Sequence, residues 1–169
     1  MSNISYSLAG ANSCLLFSMH KFWQIKTLDQ MSRDEWESLC DGCGLCCLVK
    51  IEDEDSGEVF NTSVSCRLLD IESCRCSDYK NRLTKASMCT QLTLTNLSQM
   101  DWLPDSCAYK RIAAGHSLPE WHPLITKNID SVHEAGVSVK WFAQSEEYIH
   151  PEQLFSRIIE FPVKASHEK

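Results

Sequence analysis

The run Cys40-Asp41-Gly42-Cys43-Gly44-Leu45-Cys46-Cys47 constrains this chain more than any other stretch, because it packs four of the ten cysteines into eight residues. Thiolates this crowded repel one another unless they are oxidised to disulfides or neutralised by a cation. Five more thiols follow at Cys66, Cys74, Cys76, Cys89 and Cys107. Ten cysteines are many for 169 residues, so a disulfide scaffold is the first explanation to weigh. Two features oppose it. Residues 1–20 carry no Lys or Arg, and the apolar run Cys14-Leu15-Leu16-Phe17 is too short for a secretory core. The C-x-x-C-x-x-C-C spacing also suits ligands converging on an ion better than cross-links spread over a small secreted fold. Reduced cytoplasmic thiols that bind a metal are the expectation.

A chain of 169 residues forms one ordinary domain, and an apolar fraction of 43% with five tryptophans predicts a packed core. No apolar run approaches the ~18 residues of a membrane span. The formal charge is −7 with no basic stripe, which argues against nonspecific nucleic-acid binding. Neither a membrane nor a nucleic acid is therefore an expected partner, and an unidentified protein partner is left open.

Residues 1–18 lack a hydrophobic period and read as a disordered tail, with Cys14 outside the site. Met19-His20-Lys21-Phe22-Trp23 reads as the natural beginning, consistent with an upstream start, so a single cysteine-cluster domain is expected over 19–169. Ser32-Arg33-Asp34-Glu35 is a capping box that opens a helix through Trp36 and Leu39, ending near Asp41-Gly42 and delivering Cys40 to the ligand loop. Leu48–Ile51 and Glu58–Phe60 flank an acidic turn and predict a β-hairpin; the turn lacks the calcium-loop ligand pattern and reads as solvated. Residues 66–89 predict irregular structure and short helices. Thr95 is expected to cap a turn over Asn96–Met100. Pro104 is expected to open a helix carrying Cys107, Tyr109, Ile112 and Ala113 that closes at Gly115. Leu118–Leu124 reads as a proline-bounded loop. Val137-Ser138-Val139-Lys140-Trp141 alternates and predicts a strand with Val137, Val139 and Trp141 inward. From Glu146 a weakly amphipathic helix is expected. The fold class is thus α+β, more helix than strand, with a β-hairpin and an irregular cysteine-rich metal-binding centre.

Cys40, Cys43 and Cys46 repeat the spacing by which three thiolates of one loop bind an iron–sulfur cluster. The bacterial ferredoxin pattern then leaves three residues before its Cys-Pro, whereas here Cys47 follows at once. Adjacent side chains usually diverge, so Cys46 and Cys47 are expected to serve neighbouring ions or clusters, or one of them to be merely buried. Further ligands come from Cys66, Cys74, Cys76, Cys89 and Cys107. The nine cysteines from position 40 onward would fill two four-ligand sites and leave one over. Zinc competes with iron–sulfur, because Cys40/Cys43 and Cys43/Cys46 have zinc-pair spacing and soft thiolates suit both. Cys74 and Cys76 would point the same way in an extended segment. Arg67, Arg75, Lys80 and Arg82 lie among these cysteines, either as a cationic shell or as ordinary surface charge. His122 and His133 are candidates for nitrogen ligation or proton donation, and more readily structural. His20, His150 and His167 are given no role, and His116 is expected at the surface. No nucleophile–His–acid set, P-loop or dinucleotide fingerprint is present. A Cys-x-x-Cys redox motif lacks the βαβ context of a thioredoxin.

Several further stretches carry a resemblance. They include Trp23–Leu28, Trp36–Gly44, Cys46-Cys47, Cys74-Arg75-Cys76 with Tyr79 and Arg82, Trp102-Leu103-Pro104, Cys107-Ala108-Tyr109, Leu118-Pro119, Trp121–Leu124 and His133. Over roughly residues 20–142 the chain resembles the YcgN-type bacterial proteins, which are similar to the wider YkgJ group of zinc- or iron-chelating cysteine-cluster proteins. The resemblance implies a bacterial cytosolic protein with a metal site, and it brings no activity with it. The favoured reading is a metal-binding protein, a structural or binding module holding zinc or an iron–sulfur cluster. The alternatives are an iron–sulfur oxidoreductase or electron carrier, and a metal-free thiol–disulfide protein. Whether the chain is an enzyme is left open, with no catalytic residue assigned.

Overall fold

A single helical turn, α1 (Phe22–Ile25), and a 3-10 turn (Leu28–Gln30) lead into α2 (Arg33–Ser38). The computed structural model describes residues 21–160, so the expected tail, Cys14 and His167 lie outside the described residues. The capping box at the start of α2 forms as the sequence predicts. Ser32 Oγ accepts from the Glu35 amide at 3.2 Å, and Glu35 Oε2 accepts from the Ser32 amide at 2.8 Å. Such a cap contributes about 1 kcal/mol. The helix stops at Ser38, and fully buried Leu39 pins its end, so Cys40 leaves the last turn directly into the glycine-rich loop.

That loop closes in a 3-10 turn (Leu45–Cys47) and feeds β1 (Leu48–Glu52), the first arm of the expected hairpin. β2 (Val59–Ser65) pairs with it antiparallel, Glu52 opposite Val59 and Leu48 opposite Ser65, with a bulge between Leu48 and Lys50. Buried Thr62 fills the bulge by donating its hydroxyl to Val49 O at 2.7 Å. The acidic turn is exposed and self-contained, with Asp53 Oδ1 accepting from the Asp55 and Ser56 amides. β3 (Leu69–Asp70) and β4 (Arg75–Cys76) make a second two-stranded ribbon, followed by α3 (Arg82–Lys85). α4 (Ala108–Ala113), α5 (Pro123–Thr126) and α6 (Ser131–Glu134) come next, and β5 (Gln144–Ser145) joins the first sheet parallel to β2, giving the order β1-β2-β5. The architecture is α+β with short helices and a hairpin. No helix among the described residues is long and apolar enough to cross a membrane.

Five local expectations are corrected. Pro104 does not open α4: the helix begins at Ala108, with Cys107 as its N-cap residue. Val137–Trp141 is not a strand: Val139–Trp141 is a 3-10 turn in which Val139 is fully buried and Trp141 is 72% exposed. The Val139 amide donates to Cys43 O at 2.9 Å, and that long-range bond replaces a ladder. The turn at Leu97–Gln99 is capped by Thr93 and Asn96, each accepting from the other's amide, rather than by Thr95. Leu118–Leu124 is only partly loop, because His122 caps α5 and Pro123 takes its first position. Beyond Glu146 the chain forms separate 3-10 turns instead of a continuous helix.

Two apolar clusters flank the ligand loop. One gathers Leu28, Leu39, Leu97, Met100, Leu103 and Tyr109; the other gathers Leu45, Leu48, Leu69, Val132 and Val139 together with Cys43 and Cys74. Leu39 anchors one end of the loop in the first cluster, while Cys43 and Leu45 anchor its middle in the second. The loop is therefore held by packing on both sides.

Candidate metal centre

The loop that carries the first thiols turns twice through left-handed backbone. Gly42 has φ +80° and Gly44 φ +76°, angles at which a side chain is strained. Between them Cys43 is fixed at both ends of its peptide: its amide donates to Asp41 Oδ1 at 2.9 Å, and its carbonyl accepts from Val139. The second cysteine region is tied to the first by the backbone, since the Cys66 amide donates to Cys47 O at 2.8 Å. The β3–β4 ribbon then places Cys76 opposite Leu69, and Arg75 reaches back to Cys40 O at 3.3 Å. Cys89 follows the end of α3, its amide bound to Ala86 O at 3.0 Å.

These connections bring eight of the nine expected ligands to the walls of one cavity of about 960 Å³: Cys40, Cys43, Cys46, Cys47, Cys66, Cys74, Cys76 and Cys89. Cys107 is not part of that lining. It caps α4 behind the wall, packed against the first apolar cluster. All nine are free thiols. Among the described residues no three Cys, His, Asp or Glu side chains converge closely enough to hold one bare ion as they stand. The thiols surround a space rather than a point.

Electrostatics divide them further. Behind burial, the charge of Cys46 raises the pKa of Cys40, Cys43 and Cys107, and that of Cys40 adds to Cys43. In the second region burial and then the charges of Glu146 and Cys76 raise the pKa of Cys66, and at Cys89 burial is followed by the charges of Cys66, Cys76 and Cys46. Burial is the main cause of the high pKa at Cys40, pushed up to about 12, and at Cys107, pushed up to about 11. Cys40 exposes surface to the water of the cleft, yet protein surrounds it closely enough for desolvation to dominate. Cys43 also lies well above the ordinary thiol value through burial. For Cys46 the neighbouring Cys47 thiol contributes most, ahead of burial. The two adjacent side chains thus stay beside each other instead of diverging. The 3-10 turn ends at Cys47, so the alternation of a strand begins only after the pair.

Thiols that burial holds protonated, as at Cys40 and Cys43, are poised to release protons to a metal, which stabilises the thiolates it binds. Cationic side chains already stand where that charge would develop. Arg75 lowers the Cys40 pKa, Arg67 that of Cys66, Arg82 that of Cys89 and Lys50 that of Cys46. Of the four basic residues named from sequence, Arg67, Arg75 and Arg82 line the cavity, whereas Lys80 is an exposed residue of a 3-10 turn outside that lining. Lys50 was not legible as a partner because it sits in a strand. Its ammonium donates to the carbonyls of Leu48 (2.9 Å), Leu45 and Cys46, and lies 4.4 Å from the Trp102 ring centroid. The donor set and its cations fit a thiolate-bound metal group.

Neither candidate histidine faces that group with a free nitrogen pair. His122 is fully buried, with Nε2 bonded to Leu39 O at 3.1 Å and Nδ1 accepting from the Leu124 amide at 3.1 Å. It is a neutral strut joining α5 to the end of α2. His133 Nδ1 is bonded to Ser138 Oγ at 2.7 Å in the second cluster. Burial depresses the His122 pKa below 6.5. The unfolded chain therefore binds a proton there before the folded chain does, so this stability is complete above about pH 6.5 and is lost as pH falls towards the folded value. Thermal melts across pH 7 to 5 should show a loss that a His122→Gln variant lacks; parallel curves would remove His122 as its source.

Comparison with known proteins gives concordant results. Residues 39–108 match the CxxCxxCC family model, described as a "Putative zinc- or iron-chelating domain". A UPF0260 protein of Gluconacetobacter diazotrophicus is 54% identical over 130 residues, covering 77% of this chain and 81% of the relative. One from Parvibaculum lavamentivorans is 51% identical over 142 residues, covering 84% and 93%. One from Mesorhizobium japonicum is 50% identical over 141 residues, covering 82% and 95%. No solved structure matches.

Proposed function

The chain belongs to the UPF0260 family, and from that premise we propose that it is a metal-binding protein whose cysteine thiolates hold an iron–sulfur group in the cleft. The observation that carries this reading is the wide spread of eight cysteines around a single cavity of about 960 Å³. A bare zinc ion with bonds of ~2.3 Å needs four sulfurs packed edge to edge. An iron–sulfur group sets iron and sulfide between its thiolates and suits a wider ring of donors. Cys40, Cys43 and Cys46 would supply one set, and Cys66, Cys76 and Cys89 the other, with Cys47 between them. Cys74 would be the spare, since its thiol is within reach of Ile71 O at 3.4 Å and packs in the second apolar cluster. Such a group supplies redox-active iron when bound. The chain's own residues shield it from solvent, balance its charge through Lys50, Arg67, Arg75 and Arg82, and hold the loop rigid. The likeness to YcgN-type proteins supports the same chelating role, and the free thiols suit a cytoplasmic setting and a binding or structural module.

Elemental analysis and a visible spectrum, taken on protein purified without oxygen or chelator, test this reading. Iron with acid-labile sulfide and broad absorption that bleaches on reduction is the expected result. Stoichiometric zinc in a colourless solution would replace it with closed single-ion sites, and a metal-free folded protein would end the proposal.

A further inference from the structure

Residues 79–91 wall one side of the thiol cavity, running through the 3-10 turn Tyr79–Asn81, α3 and the turn ahead of Cys89. This wall is a single layer without a core of its own. Ala86 is its one buried residue, while Leu83 and Met88 are exposed. A segment with so little buried apolar surface opens locally at small cost, as lids over binding sites do. Its attachments run to the second thiol region. The Ser77 amide, just ahead of the segment, donates to Leu68 O at 2.7 Å, and the Arg67 guanidinium donates to Lys85 O. Lys85 also pairs with Asp78 at 2.5 Å, which keeps α3 folded back on the turn before it.

Towards the first thiols the segment has a single tie. Tyr79 Oη donates to Glu37 Oε2 at 2.5 Å, joining residues 42 apart in the chain. Glu37 lies in α2 one turn ahead of Cys40, and both side chains line the cavity while still reaching solvent. Among the described residues no other hydrogen bond or ion pair joins residues 77–91 to α2 or to the loop 40–47. The donor is held ready for this contact. The Arg82 guanidinium lies 3.6 Å from the Tyr79 ring centroid and donates to Tyr79 O at 2.7 Å, so the ring is braced from within its own segment. A hydroxyl bonded to a carboxylate is short and strong, yet at a wet edge water can replace either partner. We propose that residues 79–91 are a lid over the thiol cavity and that the Tyr79–Glu37 hydrogen bond is its latch, which sets how fast a metal group enters and leaves. Cys89 rides on the lid, so closing also brings a thiol to the cavity. The lid and latch follow from the geometry; that they gate a metal rests on the metal-binding reading above.

The test uses the full chain as wild type, Tyr79→Phe, Glu37→Leu and Glu37→Gln, with Tyr148→Phe as a control outside the cavity lining. Phe keeps the ring beside Arg82 and removes only the donor; Leu removes the acceptor and Gln retains one. In the metal-free, reduced chain, iodoacetamide labelling is followed at each cysteine by mass spectrometry of its peptide. Cys76 and Cys89 should react at least about threefold faster in Tyr79→Phe and Glu37→Leu, the change expected for loss of one hydrogen bond. Glu37→Gln and Tyr148→Phe should label at the wild-type rate, and Cys107, behind the wall, should be unchanged throughout. Wild-type labelling in both latch variants overturns the latch, and so does an equal rise at Cys107, which marks general loosening. In chain purified without oxygen or chelator, the two latch variants should begin with wild-type metal content and lose it to EDTA faster by a similar factor. Faster labelling without faster metal loss overturns the gating role. Wild type without metal would instead defeat the parent reading while the labelling still decides the lid, so the two failures are distinct.

Discussion

Replacing Cys46 by serine should remove more than half of the bound metal, whereas replacing Cys74 should remove none. Cys46 is the sulfur that both groups share. Its charge is felt at Cys40, Cys43 and Cys107 in the first group and at Cys89 in the second, and it lies against Cys47. A serine oxygen there is a harder and far less acidic ligand than a thiolate. Lys50 would then face a neutral hydroxyl in place of the sulfur it helps to ionise. Cys74 also lines the cavity, but it sits at φ +51° with its thiol 3.4 Å from Ile71 O, in a cluster with Val132 and Val139. Its contribution is to packing. Metal per chain on the two variants decides the matter. Full metal in Cys46→Ser would take that residue out of the ligand set, and a large loss in Cys74→Ser would bring Cys74 in.

Gly44→Ala should be among the most destabilising single substitutions in the chain, costing about 2–5 kcal/mol. Left-handed backbone costs a residue with a Cβ ~1–2 kcal/mol, and overpacking a filled core costs a further ~1–3 kcal/mol. Both apply, since φ is +76° and the added Cβ would stand 2.6 Å from Val139 Cγ2. Val139 is fully buried and cannot swing away, and its amide holds the Cys43 carbonyl. Gly42→Ala is the informative contrast. Its φ is +80°, but the Cβ would meet the end of the Arg75 side chain at 2.9 Å, which can move aside. The cost there should be only the strain of ~1–2 kcal/mol. Urea titrations should show a lower midpoint for Gly44→Ala at unchanged slope. Equal midpoints for the two variants would mean that the Val139 contact is not what holds the loop.

Local signals were read correctly where the chemistry is local. The Ser32–Glu35 box and the hairpin around the acidic turn need only neighbours within a few residues, and each forms. Local alternation misled at Val137–Trp141, because five residues of pattern are outweighed by one bond from Val139 to Cys43 and the burial that comes with it. Lys50 was passed over for the same reason. A lysine in a strand is unremarkable until the fold sets its ammonium against the carbonyls of the ligand loop, on the wall of the thiol cavity.

By itself, then, the sequence determined that four thiols share one short stretch, because four of eight consecutive residues are cysteine. It also determined that more thiols than one site needs were available. Only the tertiary structure decided which of them reach the same cavity. Cys66 arrives through a backbone bond to Cys47, Cys76 through the β3–β4 ribbon and Cys89 through the end of α3, while Cys107 is held behind the wall. It decided as well that His122 is a strut, by giving both ring nitrogens to the backbone. The physical reason is that a ligand's identity depends on where its atoms point after the core has packed. Leu39 on one side and Val139 on the other set that direction, and both lie outside every cysteine motif.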